Sequence, residues 1–68
     1  MKRYDKVVVI KSRDEWDYPV GTELIIKSFY TSANGYKCFM SLGETMGCVL
    51  DYVIPKELYD SPLYQALK

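Results

Sequence analysis

The chain has 68 residues; 49% of them are apolar, and basic and acidic residues number nine each. A chain of this length forms one domain that buries roughly 60% of its unfolded surface, and its apolar content excludes intrinsic disorder. Zero net charge makes nucleic acid an unfavoured partner, because non-specific binding depends on clustered Lys and Arg. The only local basic cluster is Lys2, Arg3 and Lys6.

Two further compositional features bound the function. No apolar run approaches the roughly 18 residues of a membrane span, and Val7 to Ile10 is shorter than the apolar region of a secretory signal. We therefore predict a cytoplasmic protein without membrane association. Cys38 and Cys48 are the only cysteines and histidine is absent, so we predict buried thiols, no disulfide framework, no metal and no cofactor.

The first two predicted strands enclose a long loop. Arg3 to Lys11 is rich in β-branched residues, which favours a buried strand. Residues 12–21 are polar and aromatic and end with Pro and Gly, which predicts a surface loop. Thr22 to Thr31 is the second strand. By alternation, one of its faces carries Leu24, Ile26, Ser28 and Tyr30, and the other carries Glu23, Ile25, Lys27 and Phe29.

The remaining strands are shorter. Asn34-Gly35 predicts a hairpin turn into a third strand, Tyr36 to Ser41. Cys48 to Asp51 is the fourth strand, and residues 52–54 either turn or begin a fifth strand that Pro55 interrupts. The third strand is predicted to point Tyr36, Cys38 and Met40 inward.

The C-terminal tail, residues 57–68, has a different character. Ser61-Pro62 predicts the start of a helix that continues to Lys68, with Leu63 and Leu67 on one face. Such a short helix is unstable alone in water. It therefore docks on the same domain, docks on a neighbour or frays.

Five short strands at close spacing predict a small all-β barrel. Two segments resemble an SH3 domain: the acidic loop and following strand, residues 15–26, and the run Gly47 to Pro55 with Tyr52-Val53 before a final strand. The resemblance covers roughly residues 4–56. It implies a five-stranded SH3-like barrel over residues 1–56, with residues 57–68 as a tail containing a short helix. The predicted interior is Val8, Leu24, Ile26, Cys38, Met40, Val49 and Val53.

The resemblance also implies a binding groove. Tyr52 matches the groove tyrosine of SH3 domains, and Trp16 and Tyr18 lie in the corresponding loop. However, Tyr36 opens the strand where those domains carry Trp, and Leu50 stands where they carry Pro. Pro-rich PxxP ligands need a groove lined with aromatic side chains, so these departures do not favour a PxxP ligand.

Catalytic chemistry is not indicated. Asp14, Glu15 and Asp17 cluster beside Arg13, which is typical of a solvated charged loop. Neither cysteine has a neighbouring base that would activate it as a nucleophile, and no histidine is present for general acid–base catalysis. We predict that the chain is not an enzyme.

Two surfaces are candidates for partner binding. If Leu24 and Ile26 point inward, then Ile25, Phe29 and Phe39 form an outer apolar patch. The tail covers this patch, or a partner or second copy binds it, or the strand register differs from the prediction. The second candidate surface consists of Trp16, Tyr18 and Tyr52 and suits a protein with a basic patch, unless Trp16 only folds over the end of the barrel.

These observations predict a non-enzymatic protein–protein interaction module. It resembles the stand-alone SH3-like proteins of bacteria and phages, and it would bind or modulate a host protein or self-associate. The alternative function is a nucleic-acid-binding barrel. Its cations would be Lys2, Arg3, Lys6 and Lys11, and its stacking residues Tyr30 and Tyr36.

Overall fold

The computed structural model describes residues 1–13, 15 and 17–67. Five strands form one sheet in the order β4-β3-β2-β1-β5, and all neighbouring strands are antiparallel. The strands are β1 Lys6–Val9, β2 Glu23–Thr31, β3 Lys37–Ser41, β4 Gly47–Val49 and β5 Val53–Pro55. A 3-10 helix, Leu50–Tyr52, joins β4 to β5, and the helices α1 Lys56–Tyr59 and α2 Pro62–Leu67 follow.

The predicted all-β domain with a short C-terminal helix is confirmed at this level, but the sheet is not closed into a barrel. Within the described residues, β4 and β5 are the two ends of the sheet and do not pair with each other. Each has only three residues, and the 3-10 helix separates them in the chain. The ladder therefore stays open between them.

Strand β2 is shared by both halves of the sheet. Its first half pairs with β1, where Leu24 lies opposite Val7, and its second half pairs with β3, where Phe29 lies opposite Phe39. The register shifts between Ile26 and Ser28, so β2 contains an extra residue and a local bend. The bulge breaks the single alternation predicted for this strand.

The core lies between the two halves of the sheet. Leu24 and Ile26 are buried as predicted, and each apolar side chain of this size contributes about 1.5–3 kcal/mol when fully buried. Val8 is also buried, and α1 packs against β1 and β5. The main core cluster is Val7, Val9, Leu24, Ile26, Phe39, Cys48, Tyr52 and Val53.

Two predictions for β3 are wrong. Phe39 is predicted on the outer patch, but it is completely buried in the core cluster. Tyr36 is predicted to point inward, but it is 50% exposed and precedes the strand. The bulge explains the error for Phe39, because the extra residue in β2 reverses which β3 residues share a face with Leu24 and Ile26.

The tail is anchored near its start and not along its length. Helix α2 begins at Pro62 as predicted, whereas α1 is not predicted by the sequence pattern. Leu63 and Leu67 are 78% and 86% exposed, so α2 does not cover the apolar patch. The two helices are joined by ring contact between Tyr59 and Tyr64, whose centroids are 5.5 Å apart. No helix in the described part of the chain is long and apolar enough to span a membrane.

A tight turn precedes β1, where the sequence predicts strand from Arg3. The Lys2 amide donates to a side-chain oxygen of Asp5 at 2.9 Å, and the Asp5 amide donates to the Lys2 carbonyl at 3.2 Å. Tyr4 has a φ of 72°, a left-handed conformation that costs a non-glycine residue about 1–2 kcal/mol. The Tyr4 amide offsets this cost by donating to the Ile26 carbonyl next to the bulge.

The strain at Tyr4 yields a stability prediction. Glycine adopts positive φ without a Cβ penalty, so we expect Tyr4→Gly to be more stable than Tyr4→Ala by about 1 kcal/mol in urea unfolding. Both variants lose the ring, so the difference between their free energies of unfolding reports the cost of the backbone conformation alone. At Tyr36, which has no positive φ, the glycine variant should instead be less stable than the alanine variant. A more stable Tyr4→Ala would contradict the left-handed assignment.

Candidate partner-binding cleft

The cleft begins with the long loop, which we define as residues 10–22. Two backbone bonds close its base: the Val9 amide donates to the Thr22 carbonyl at 2.9 Å and the Gly21 amide donates to the Val9 carbonyl at 2.8 Å. Gly21 has a φ of 96°, which suits glycine at this reversal. The Ile10 amide donates to the Tyr52 carbonyl at 2.8 Å and so ties the loop to the 3-10 helix.

Tyr18 holds the far side of the long loop against the β3–β4 connection. Its hydroxyl donates to the Met46 carbonyl at 2.6 Å, although the two residues are distant in sequence. Within the loop, the Arg13 amide donates to a side-chain oxygen of Asp17 at 2.8 Å, and the guanidinium of Arg13 lies 3.9 Å from the same oxygen. These contacts hold Tyr18 to the β3–β4 connection and Arg13 to Asp17.

Between the long loop and the sheet lies a cavity of about 100 Å³, which we term the cleft. Three tyrosines, Tyr18, Tyr30 and Tyr52, contribute to its walls. Aromatic walls with a few polar groups are typical of ligand sites. The other lining residues are Val9, Lys11, Asp17, Cys38, Gly47, Cys48 and Val49.

A second and larger cavity, which we term the hollow, adjoins the cleft. It has a volume of about 350 Å³ and is lined by Phe29, Tyr30, Thr31, Lys37, Cys38 and Leu50. Tyr30 and Cys38 line both cavities, so the Tyr30 ring stands at the boundary between them. The surface offers two neighbouring depressions with an aromatic ridge between them.

Gly47 gives Tyr30 the space for this position. A methyl group at Gly47 would overlap the Tyr30 hydroxyl and would lie 2.9 Å from Cζ and 3.2 Å from Cε1 of the ring. A Cβ atom essentially never lies within 3.0 Å of another non-bonded heavy atom, so a side chain at Gly47 would displace the Tyr30 ring. The absence of a side chain at this position therefore shapes the cleft.

Tyr52 is a buried wall with cations beside it. Its side chain is 8% exposed. The Lys11 ammonium nitrogen lies 5.6 Å from its ring centroid, and the central carbon of the Arg13 guanidinium lies 5.4 Å from it. Both distances are within cation–π range. The start of the long loop is therefore held on the ring of Tyr52.

Three groups that line the cleft, Tyr18, Tyr30 and Cys48, have raised pKa values and stay protonated near neutral pH. Burial, with a smaller effect of Asp17, raises the pKa of Cys48 from 9.0 to about 11. Burial also raises the pKa of Tyr18, and the nearby Glu44 raises it further. The pKa of Tyr30 is raised by burial and, to a smaller extent, by Cys38. The cleft therefore presents hydroxyl donors and ring faces, which are binding groups. Within the described residues, no three His, Cys, Asp or Glu side chains gather as metal ligands would.

The predicted partner-binding residues separate into different locations. Tyr18 and Tyr52 come together in the cleft, whereas Trp16 lies outside the described residues. Phe29 lines the hollow and is 43% exposed, and Ile25 is partly buried in β2. Phe39 is in the core, so the predicted three-residue patch does not exist as one outer surface.

The sequence does not predict Tyr30 as a cleft residue, because alternation places its side chain on the inner face of β2. The structure instead exposes 42% of its surface, between the two cavities. The sequence gives a partial indication at Gly47, which directly precedes the predicted fourth strand. A glycine at such a position often marks a place where another group approaches the backbone closely. Nothing in the sequence pairs that glycine with Tyr30.

Comparisons with known proteins do not identify a relative. No protein-family model matches the chain, and neither a curated protein nor a solved structure matches it. The function is therefore argued from the cleft and the hollow.

The contact between Tyr30 and Gly47 predicts a strong coupling between two substitutions. We expect Gly47→Ala to destabilise the native chain by about 1–3 kcal/mol, because the added methyl forces Tyr30 out of its position. In a Tyr30→Ala background the same change should be neutral or stabilising, because the space is free. Urea unfolding of the four chains gives the coupling energy. Equal effects in both backgrounds would show that the ring does not occupy this space.

The raised pKa of Cys48 predicts a loss of stability at alkaline pH. Because the folded chain holds the thiol protonated, this stabilisation is complete below about pH 9 and is lost as pH rises toward 11. The raised pKa values of Tyr18 and Tyr30 act in the same direction at higher pH. We expect the urea midpoint to fall less steeply over this range in Cys48→Ala than in the native chain. If the urea midpoint fell equally with pH in the native chain and in Cys48→Ala, Cys48 would make no contribution to the loss of stability.

Proposed function

We propose that this chain is a non-enzymatic protein–protein interaction module of SH3-like architecture. As a small bacterial or phage protein in the cytoplasm, it would bind a segment of a host protein, or a second copy of itself, through its cleft and hollow. The observation that carries the proposal is the convergence of Tyr18, Tyr30 and Tyr52 on one cleft beside the hollow. Tyrosines of this kind supply contact area and hydrogen bonds together, which is why they are enriched at interfaces.

The rigidity of the site supports the same proposal. Tyr52 is fixed in the core and by the bond from Ile10, and Tyr18 is fixed by its bond to Met46. A site whose side chains are already ordered loses little conformational entropy when a partner binds. The raised pKa values of Tyr18, Tyr30 and Cys48 also favour binding over proton transfer by these three groups at neutral pH.

Two features support the SH3-like part of the proposal. The segment Leu50–Tyr52 forms a single 3-10 turn that leads through Val53 into the last strand. This corresponds to the short segment ending in Tyr-Val before the final strand that the resemblance is built on. Asp17 and Tyr18 of the first matching segment line the cleft together with Gly47 and Tyr52 of the second, so the two segments adjoin there.

A display experiment tests the proposal directly. Selection of a random-peptide library against the purified chain should yield peptides whose binding depends on Tyr30, between the two cavities, and on Tyr18, in the wall of the cleft. Truncating a central aromatic residue of an interface typically costs 2 kcal/mol or more, so Tyr30→Ala should weaken the selected peptides at least about 30-fold. Tyr18→Ala should weaken them similarly.

The matched control is Tyr36→Ala. Tyr36 is as exposed as Tyr30 but lines neither cavity, so its truncation should leave peptide affinity within about twofold. Capture from the native host lysate with the same three variants should show the same pattern for protein partners. Peptides that bind all variants equally would contradict the proposed site. Light scattering on the free chain separates self-association from binding to a different protein.

A further inference from the structure

A second surface lies at the corner where the N-terminal turn meets the bulge of β2. We term it the basic corner and define it as Lys2, Arg3, Lys6 and Lys27, with Tyr4 between them. All five side chains are exposed. None of them lines the cleft or the hollow.

Backbone contacts bring Lys27 to the other cations. The Arg3 Nε donates to the Lys27 carbonyl at 2.9 Å, and the Ile26 amide donates to the Asp5 carbonyl at 3.0 Å. Lys6 lies opposite Ile25 in the ladder, and Lys27 follows two residues later, about 7 Å along the strand. The fold therefore adds a fourth cation to the one basic cluster of the sequence.

Among the described residues, the four cations of the basic corner make no ion pair. Across residues 1–13, 15 and 17–67, the ion pairs involve Arg13 and Lys56, and none involves the basic corner. Asp5 is the carboxylate of the turn, and it accepts the Lys2 amide. Although the whole chain has zero net charge, this corner is a local excess of positive charge.

Tyr4 gives the corner an aromatic surface. Its ring is on a residue that is 62% exposed. The Arg3 guanidinium lies 5.3 Å from the ring centroid, and its Nη2 lies 3.3 Å from the Tyr4 hydroxyl. The left-handed backbone at Tyr4, with a φ of 72°, is retained despite its cost.

We propose that the basic corner binds single-stranded nucleic acid, with phosphates on the lysines and one base against Tyr4 and Arg3. Single strands are held by cations along the backbone and by aromatic rings on which bases stack. An acidic peptide would use the cations, whereas a single strand would use both the cations and the adjacent Tyr4 and Arg3 pair, on which a base can stack. The basic corner is separate from the cleft, so a test of nucleic-acid binding does not depend on the proposed protein interaction.

Fluorescence anisotropy with labelled oligo(dT) of about 12 nucleotides tests the proposal on the full chain, tagged at its C-terminus. The slope of log affinity against log salt is about −0.7 per neutralised phosphate for single strands. Four cations therefore predict a slope near −2.8, or about a 50-fold loss of affinity between about 50 and 200 mM salt. No binding at the lower salt concentration would overturn the proposal.

Substitutions then locate the site. Tyr4→Ala should weaken binding at least about fivefold and Tyr4→Phe should retain it, because the ring and not the hydroxyl stacks. Lys27→Gln should reduce the salt slope by about 0.7. Lys37 is an exposed lysine at the start of β3, opposite Thr31, and it lines the hollow and not the basic corner. Lys37→Gln should therefore leave the salt slope for oligo(dT) unchanged.

Three further results would overturn the proposal: equal loss in Lys27→Gln and Lys37→Gln, unchanged binding by Tyr4→Ala, or tighter binding of a poly-glutamate peptide than of oligo(dT). The last would assign the corner to an acidic protein partner. Circular dichroism checks that each variant is folded. Should Tyr4→Ala unfold, the comparison of Lys27→Gln with Lys37→Gln still decides the question, because both lysines are on the surface.

Discussion

The extra residue in β2 is the constraint on which the rest of this small domain depends. The bulge shifts the register of β2 between Ile26 and Ser28 and bends the strand. The first half of β2 therefore pairs with β1 and the second half with β3. The bend folds the two halves of the sheet toward each other, which buries Phe39 and Ile26 in one core. It also leaves backbone groups near Lys27 that the N-terminal turn satisfies through Arg3 and Tyr4. Core, turn and basic corner are therefore consequences of one local irregularity.

The cleft results from a second set of constraints, which act on the long loop. A loop of this length over a sheet would be costly to order without fixed points. Here the base is closed by Val9 and the middle is held by Tyr18, while Ile10 bonds to the 3-10 helix. The same tyrosines that hold the loop also form the walls of the cavity. The parts of the molecule that stabilise the loop are thus the parts that a partner would contact.

Much of this architecture could be predicted from local patterns, and the failures have a common physical cause. The strands, the Asn34-Gly35 turn and the helix start at Pro62 follow from periodicity and turn chemistry that act over a few residues. The resemblance predicts Tyr18 and Tyr52 as binding residues, and the structure places both of them at the cleft. The bulge could not be predicted, because its position depends on contacts from residues distant in sequence. The misplacement of Phe39, and of Tyr30 as an inner-face residue, follows from that one omission.

The open sheet has a consequence for behaviour at high concentration. Each terminal strand has one edge without a neighbouring strand in the sheet, and such edges are where β-proteins polymerise. Here the terminal strands, Gly47–Val49 and Val53–Pro55, have only three residues each, and Pro55 has no amide hydrogen to offer. An approaching extended chain would form too few hydrogen bonds at either end to remain bound. Terminal strands this short provide protection against aggregation that a closed barrel would otherwise supply.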